Sequence, residues 1–161
     1  MKFKVLPPPA DSLETVGEVQ AAVPLVPDGE ESCCARLLRR TDVASQDAAR
    51  EWLTFLRALE LVEETAGQYR RLPHEADPDR VRASFCDRVY LAEDVLSVVS
   101  AADDPLGTGE VFARVSDRVP QWERHRHEDA ADVWRERVRR VLEWAVTLGL
   151  LERAEEGYVA A

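Results

Sequence analysis

Apolar residues recur along this chain in two rhythms, steps of three and four that mark helices and short alternating runs that mark strands. Residues 45–59 show the first rhythm well. Ala49, Trp52, Leu56 and Leu59 share one stripe flanked by Ala48 and Phe55, and Ser45 precedes them as an N-cap. A turn over residues 41–44 separates this helix from another over about 31–40, and residues 61–64 and 68–72 read as strands around a turn at 65–67. Upstream, residues 2–6 alternate enough for a strand that Pro7 stops, and Asp11 with Glu14 is a capping arrangement for a first helix closing near Ala22. Residues 24–29 are expected to be loop. Asp77 before Pro78 opens the next helical run. There Val81, Phe85, Val89, Ala92, Leu96 and Val99 keep helical steps as far as Ala102, as one long helix or two nearly collinear ones. Residues 103–107 break the run, and Thr108 caps a helix ending near Val119, where Pro120 stops it. The last helix covers about 129–148, with Trp134, Val138, Val141, Leu142, Ala145 and Leu148 inward, and residues 150–153 and 157–160 form a second hairpin.

The two hairpin-ending segments are copies of each other. Residues 50–70 align with 139–159 at an offset of 89, pairing Arg50 with Arg139, Leu53 with Leu142, Leu59 with Leu148, Leu61 with Leu150, Glu63 with Glu152 and Tyr69 with Tyr158. Identities in phase over that length indicate a duplicated unit. Helix, tight turn, helix and hairpin is the order of a winged helix. The predicted fold is therefore mainly α with small β-hairpins (α+β), as two tandem winged-helix domains joined by a helix. Residues 1–76 form the N-terminal winged-helix domain, and residues 77–161 the linking helix and C-terminal winged-helix domain. A helical joint would fix their orientation better than a flexible tether.

Composition restricts the chemistry. Apolar residues make up 45% of the 161, enough for two modest cores. No apolar run approaches the roughly 20 residues of a membrane span, and the N-terminus lacks a secretory apolar block, so the expected location is the cytoplasm. Cys33, Cys34 and Cys86 are too few and badly spaced for a disulfide framework or a paired metal site, and read as reduced thiols in the core. Thirty-one acids against 21 bases give a net charge of -10, and the only lysines are Lys2 and Lys4. That balance suits a protein hydrated in concentrated salt; an ordinary acidic protein from a GC-rich genome is the alternative. Either way the net field repels phosphate. In molar salt both the repulsion and the counterion release that normally drives DNA binding fade, leaving close contacts to do the binding.

Function should lie on the side of the third helix opposite its core stripe, since that helix normally meets the DNA major groove. In the first copy this face carries Arg50, Thr54 and Arg57 with Asp47; Arg39 and Arg40 lie just before it, and Arg70 and Arg71 on the wing. These arginines and Thr54 are the candidate nucleic-acid contacts, guanidinium being suited to phosphate and guanine. The competing reading is a solvated face whose arginines pair with their own acids, such as Arg40 with Asp42 and Arg70 with the wing glutamates. The second copy presents Asp132, Glu136, Arg139, Arg140, Glu143 and Thr147, where acids outnumber bases, and Glu143 replaces Thr54. That face suits a scaffold or dimerisation unit better than a DNA reader. His125 and His127 in the polar loop could with a carboxylate hold zinc, but three ligands so close in sequence usually lack orienting partners, and no metal is assigned. No phosphate loop, nucleophile elbow or acid/base pair points to an enzyme or a cofactor.

The runs at residues 33–45 (CCARLLRRTDVAS), 122–127 (WERHRH) and 132–140 (DVWRERVRR) resemble an uncharacterised family of acidic haloarchaeal proteins with tandem winged-helix (helix-turn-helix) domains. The resemblance covers nearly the whole chain. It implies a halophilic cytoplasm and paired winged helices and transfers no functional residues. Two roles follow. The chain is a DNA-binding or transcription-associated protein contacting DNA through its N-terminal domain, or an adaptor whose domains, the C-terminal one above all, bind a protein partner or a second copy.

Overall fold

The computed structural model of the chain describes residues 2–118 and 130–161. Their contacts fall into two compact units, Met1–Val89 and Tyr90–Ala161.

The first unit runs α1 (Leu13–Ala22), β1 (Asp28–Gly29), α2 (Glu30–Arg40), α3 (Gln46–Ala58), β2 (Val62–Thr65), β3 (Gln68–Arg71) and α4 (Pro78–Arg88). α3 starts where the Ser45 hydroxyl accepts the Ala48 N–H at 3.1 Å, satisfying an otherwise open amide of the first turn. Its inner stripe of Ala49, Trp52, Phe55, Leu56 and Leu59 is buried. The Phe55 ring meets Trp52 of the same helix edge-on at 6.0 Å and Phe85 of α4 at 6.4 Å, so the inner side of α3 packs against α4. β1, β3 and β2 form an antiparallel sheet in that order, with Asp28 opposite Tyr69 and Glu63 opposite Arg70. Asp77 caps α4 by accepting the Arg80 N–H at 3.1 Å, and Val81 and Phe85 are buried.

In the second unit the order is α5 (Ala92–Ala101), α6 (Thr108–Val115) with a single 3₁₀ turn over Ser116–Arg118, α7 (Ala130–Thr147), β4 (Leu151–Ala154) and β5 (Gly157–Ala160). The predicted stripe of α7 is buried, Trp134 included. Leu106 and Tyr158 exchange backbone hydrogen bonds of 3.2 and 2.9 Å, a third strand reduced to one residue. In both units the inner hairpin strand therefore pairs on its far side through the tyrosine, Tyr69 with Asp28 and Tyr158 with Leu106.

The 89-residue offset holds bond by bond. Leu61 N–H donates to Leu56 O and Leu150 N–H to Ala145 O; Glu60 N–H donates to Arg57 O and Gly149 N–H to Val146 O. These paired bonds close α3 and α7 in the same left-handed cap, with Glu60 at φ 62° and Gly149 at φ 79°. Glycine takes that conformation without strain. Glu60 takes it while its carboxylate accepts from the Ser84 hydroxyl at 2.7 Å and pairs with Arg88 at 3.2 Å, bonds that tie α4 to the end of α3.

Several local expectations are corrected. Residues 2–6 form no strand; Phe3 makes a single parallel bridge to Val89, because Pro7 follows too soon for a ladder. Ser12, not Asp11, stands at the N-cap of α1, without a side-chain bond. The expected loop at 24–29 contains β1. Of the two arrangements expected for the run from Pro78 to Ala102, the structure has two helices, interrupted at residues 89–91 where Leu91 adopts φ 71°. By its contacts α4 counts with the first unit, which extends to Val89. α6 ends at Val115, and Gly107 rather than Thr108 is its N-cap, its N–H donating to the Glu110 carboxylate at 3.2 Å.

Candidate nucleic-acid interface

The outer face of α3 is built from what its core stripe leaves over. Arg50 is exposed, and Thr54 and Arg57 are half-buried along the same side. Each arginine is engaged by a carboxylate. Arg50 lies 3.3 Å from Asp47 and 3.9 Å from Glu30 at the start of α2. Arg57 reaches Glu64 on β2 at 3.7 Å and stacks over the Phe3 ring at 5.3 Å. Arg70 donates to Glu63 across the hairpin at 2.6 Å. The pairing expected between Arg70 and a wing glutamate is thus present. Glu30 and Glu64 as partners escaped sequence reading because they meet α3 only through the tertiary fold, whereas the Glu63–Arg70 pair follows from the hairpin register.

Arg39 and Arg40 are exposed on the last turn of α2, where a positive charge also complements the helix dipole. Among the described residues neither has a carboxylate within the 4.0 Å reach of an ion pair. Arg71 parts company with the rest. Directly opposed residues of an antiparallel pair share a face, so Arg71 sides with Val62, Tyr69 and Glu64, and Arg70 with Glu63. Arg71 lines a cleft beside α1 instead.

The corresponding face of α7 is closed by its own charges. Glu136 accepts two bonds from Arg139, at 2.7 and 2.8 Å, and lies 3.5 Å from Arg140. The hydrogen bond from Arg139 holds the Glu136 carboxyl below the usual range. Glu143, its side chain only 17% exposed, lies 4.0 Å from Arg139 and is bonded by Arg153 of β4. Burial, then the Glu143 charge, pushes the Tyr158 hydroxyl up. Helix and wing are clamped in both units with opposite polarity: Arg57 to Glu64 in the first, Glu143 to Arg153 in the second, Glu64 and Arg153 being equivalent at the 89-residue offset.

No group of three metal-ligating side chains occurs among the described residues, and His125 and His127 lie outside them. No helix there is long and apolar enough to cross a membrane. A family model described as the halobacterial double winged helix domain matches residues 1–161. No curated protein and no solved structure matches the chain.

Proposed function

We propose a DNA-binding, transcription-associated role for this chain, which belongs to the halobacterial double winged helix domain family. In this reading the first winged helix turns α3 toward a DNA groove, with Arg39, Arg40, Arg50, Thr54, Arg57 and Arg70 as contacts and the second winged helix free for a protein partner or a second copy. Arg71, which lines the cleft beside α1, is left out of that set. One observation carries the choice of copy. The α3 face presents Arg50, 49% exposed and paired only to exposed carboxylates, while the α7 face presents a carboxylate, Glu143, held by two arginines. Exposed ion pairs contribute about 0–1 kcal/mol each, so phosphate oxygens can replace Asp47 and Glu30 at small cost. No catalytic residue or cofactor is assigned.

Fluorescence anisotropy with sheared genomic DNA in about 1 M KCl, where the Debye length is about 3 Å, tests this. The native chain is expected to bind, the Arg50→Ala/Arg57→Ala double variant to lose on the order of tenfold or more in affinity, and Arg153→Ala to bind unchanged. Absence of binding to any fragment removes the proposal.

The adaptor reading is favoured by one feature, the neutralisation of Arg50, Arg57 and Arg70 by neighbouring acids. Capture from a high-salt lysate distinguishes it: a stoichiometric protein partner retained by the double variant supports an adaptor, and recovery of nucleic acid alone counts against it.

A further inference from the structure

We propose that the cleft between α1 and the segment following β3 binds a small carboxylate with an apolar body, held by Arg71. The cleft encloses about 740 Å³, within the roughly 300–1,000 Å³ of small-molecule sites. Leu13, Ala21, Leu25, Leu72 and Pro73 make its lining mostly apolar. Leu25 is 57% exposed there and its neighbour Val26 75%, so a large apolar surface is left open to solvent.

The walls are fixed before any ligand arrives. Gln20, a buried residue of α1, donates to the carbonyls of Leu61 at 3.3 Å and His74 at 2.8 Å. The His74 ring nitrogen lies 2.7 Å from the Glu60 carbonyl, and Arg71 N–H donates to Pro24 O at 2.7 Å. A site held this way loses little entropy on binding.

Two independent features point to the ligand. Arg71 lines the cleft, and its guanidinium has no hydrogen-bond or ion-pair partner among the described residues. A carboxylate is the acceptor a guanidinium takes in bidentate fashion. Gly17 lies midway between Leu13 and Ala21 on the side of α1 that lines the cleft, and a Cβ there would meet nothing within 4 Å. Glycine inside a helix is about 1 kcal/mol worse than alanine, and no internal packing requires it here. Its missing side chain keeps the cleft open along α1. The exposed carboxylates Glu14 and Glu75 at the cleft disfavour phosphate and other polyanions, which leaves one carboxylate for one guanidinium. In concentrated salt the apolar body supplies most of the affinity, because charge attraction is screened beyond a few ångströms.

The inference is independent of the DNA-binding reading. Its test is an NMR titration of the full chain in high KCl with 4-phenylbutyrate, using 4-phenylbutyramide as the neutral counterpart. Saturable shifts are expected at the amides of Gly17, Ala21 and Leu72 and at Arg71 Nε–H. Binding should weaken on the order of tenfold for the amide and for Arg71→Gln, and vanish in Gly17→Leu, which fills the cleft without lowering the melting temperature. Equal binding of acid and amide, binding that survives Gly17→Leu, or no saturable shift overturns the proposal.

Discussion

Cys33 is surrounded by acceptors and negative charge. Its thiol faces the carbonyls of Asp28 at 3.5 Å and Tyr69 at 4.0 Å, contacts that suit an S–H and oppose a thiolate. Burial first, then the Asp28 charge, pushes the thiol from its ordinary value of 9.0 up to about 11. The folded state therefore holds its proton where the unfolded chain has lost it. The stabilisation is complete below about pH 9 and is lost as pH rises toward 11, because there the native state binds more protons than the unfolded one. Cys34 and Tyr69 are raised by burial as well and add slopes of the same sign. Urea midpoints in high KCl should fall between about pH 9 and 10.5, and Cys33→Ala should fall less steeply over the same window. Parallel curves for the two proteins would show that this thiol has no part in the loss. The same thiol sits under β1, so its protonation bears on the wing that carries Arg70.

Each wing hairpin contains a glycine at positive φ. Gly157 stands at φ 150°, and a Cβ there would come within 2.4 Å of the Leu106 carbonyl carbon and oxygen and 2.7 Å of Gly107 N. Gly67, in the turn of the first hairpin at φ 80°, has nothing within 4 Å of that position. Gly157→Ala should therefore destabilise the second unit by about 3 kcal/mol or more, combining strain with a backbone clash, against about 1 kcal/mol for Gly67→Ala, which meets strain alone. Thermal unfolding followed by tryptophan fluorescence separates the two, and similar losses at both sites would refute the close approach of Leu106. Sequence periodicity exposed the helices and hairpins because their stripes are long: Trp52 and Trp134 are buried where 3.6-residue spacing puts them. β1 and the Leu106 bridge were hidden, since two residues and one residue carry no period. The break at residues 89–91 was hidden for another reason. Val81, Phe85, Val89, Ala92 and Val99 stay in helical step across it, and Leu91 is not a residue that announces a left-handed turn. At the candidate interface the arginines of α3 were legible from the stripe, while their neutralisation by Glu30 and Glu64 depends on α2 and β2 meeting α3 in space.

Over the whole molecule the charge is spread unevenly. Residues 1–89 hold 12 bases against 16 acids, and residues 90–161 hold 9 against 15, so the shorter unit carries the larger excess, -6 against -4. Like charges within one compact unit repel through solvent over about 10 Å at 0.1 M salt but only about 3 Å at 1 M. Dilution of salt thus restores a self-repulsion that concentrated salt suppresses, and it acts most on the unit with the greater charge per residue. Internal pairs such as Glu136 with Arg139 offset part of it, yet exposed pairs return only about 0–1 kcal/mol each and cannot remove a net excess. On transfer from molar KCl to about 0.1 M, amide protons of α5, α7 and the β4–β5 hairpin should lose exchange protection before those of α3 and the first wing. Hydrogen exchange read by mass spectrometry at a series of salt concentrations resolves the order, with the Gly157 and Gly67 peptides as markers of the two hairpins. First-unit peptides opening earlier, or both units opening at one salt concentration, would mean that charge density is not what sets their stability in salt.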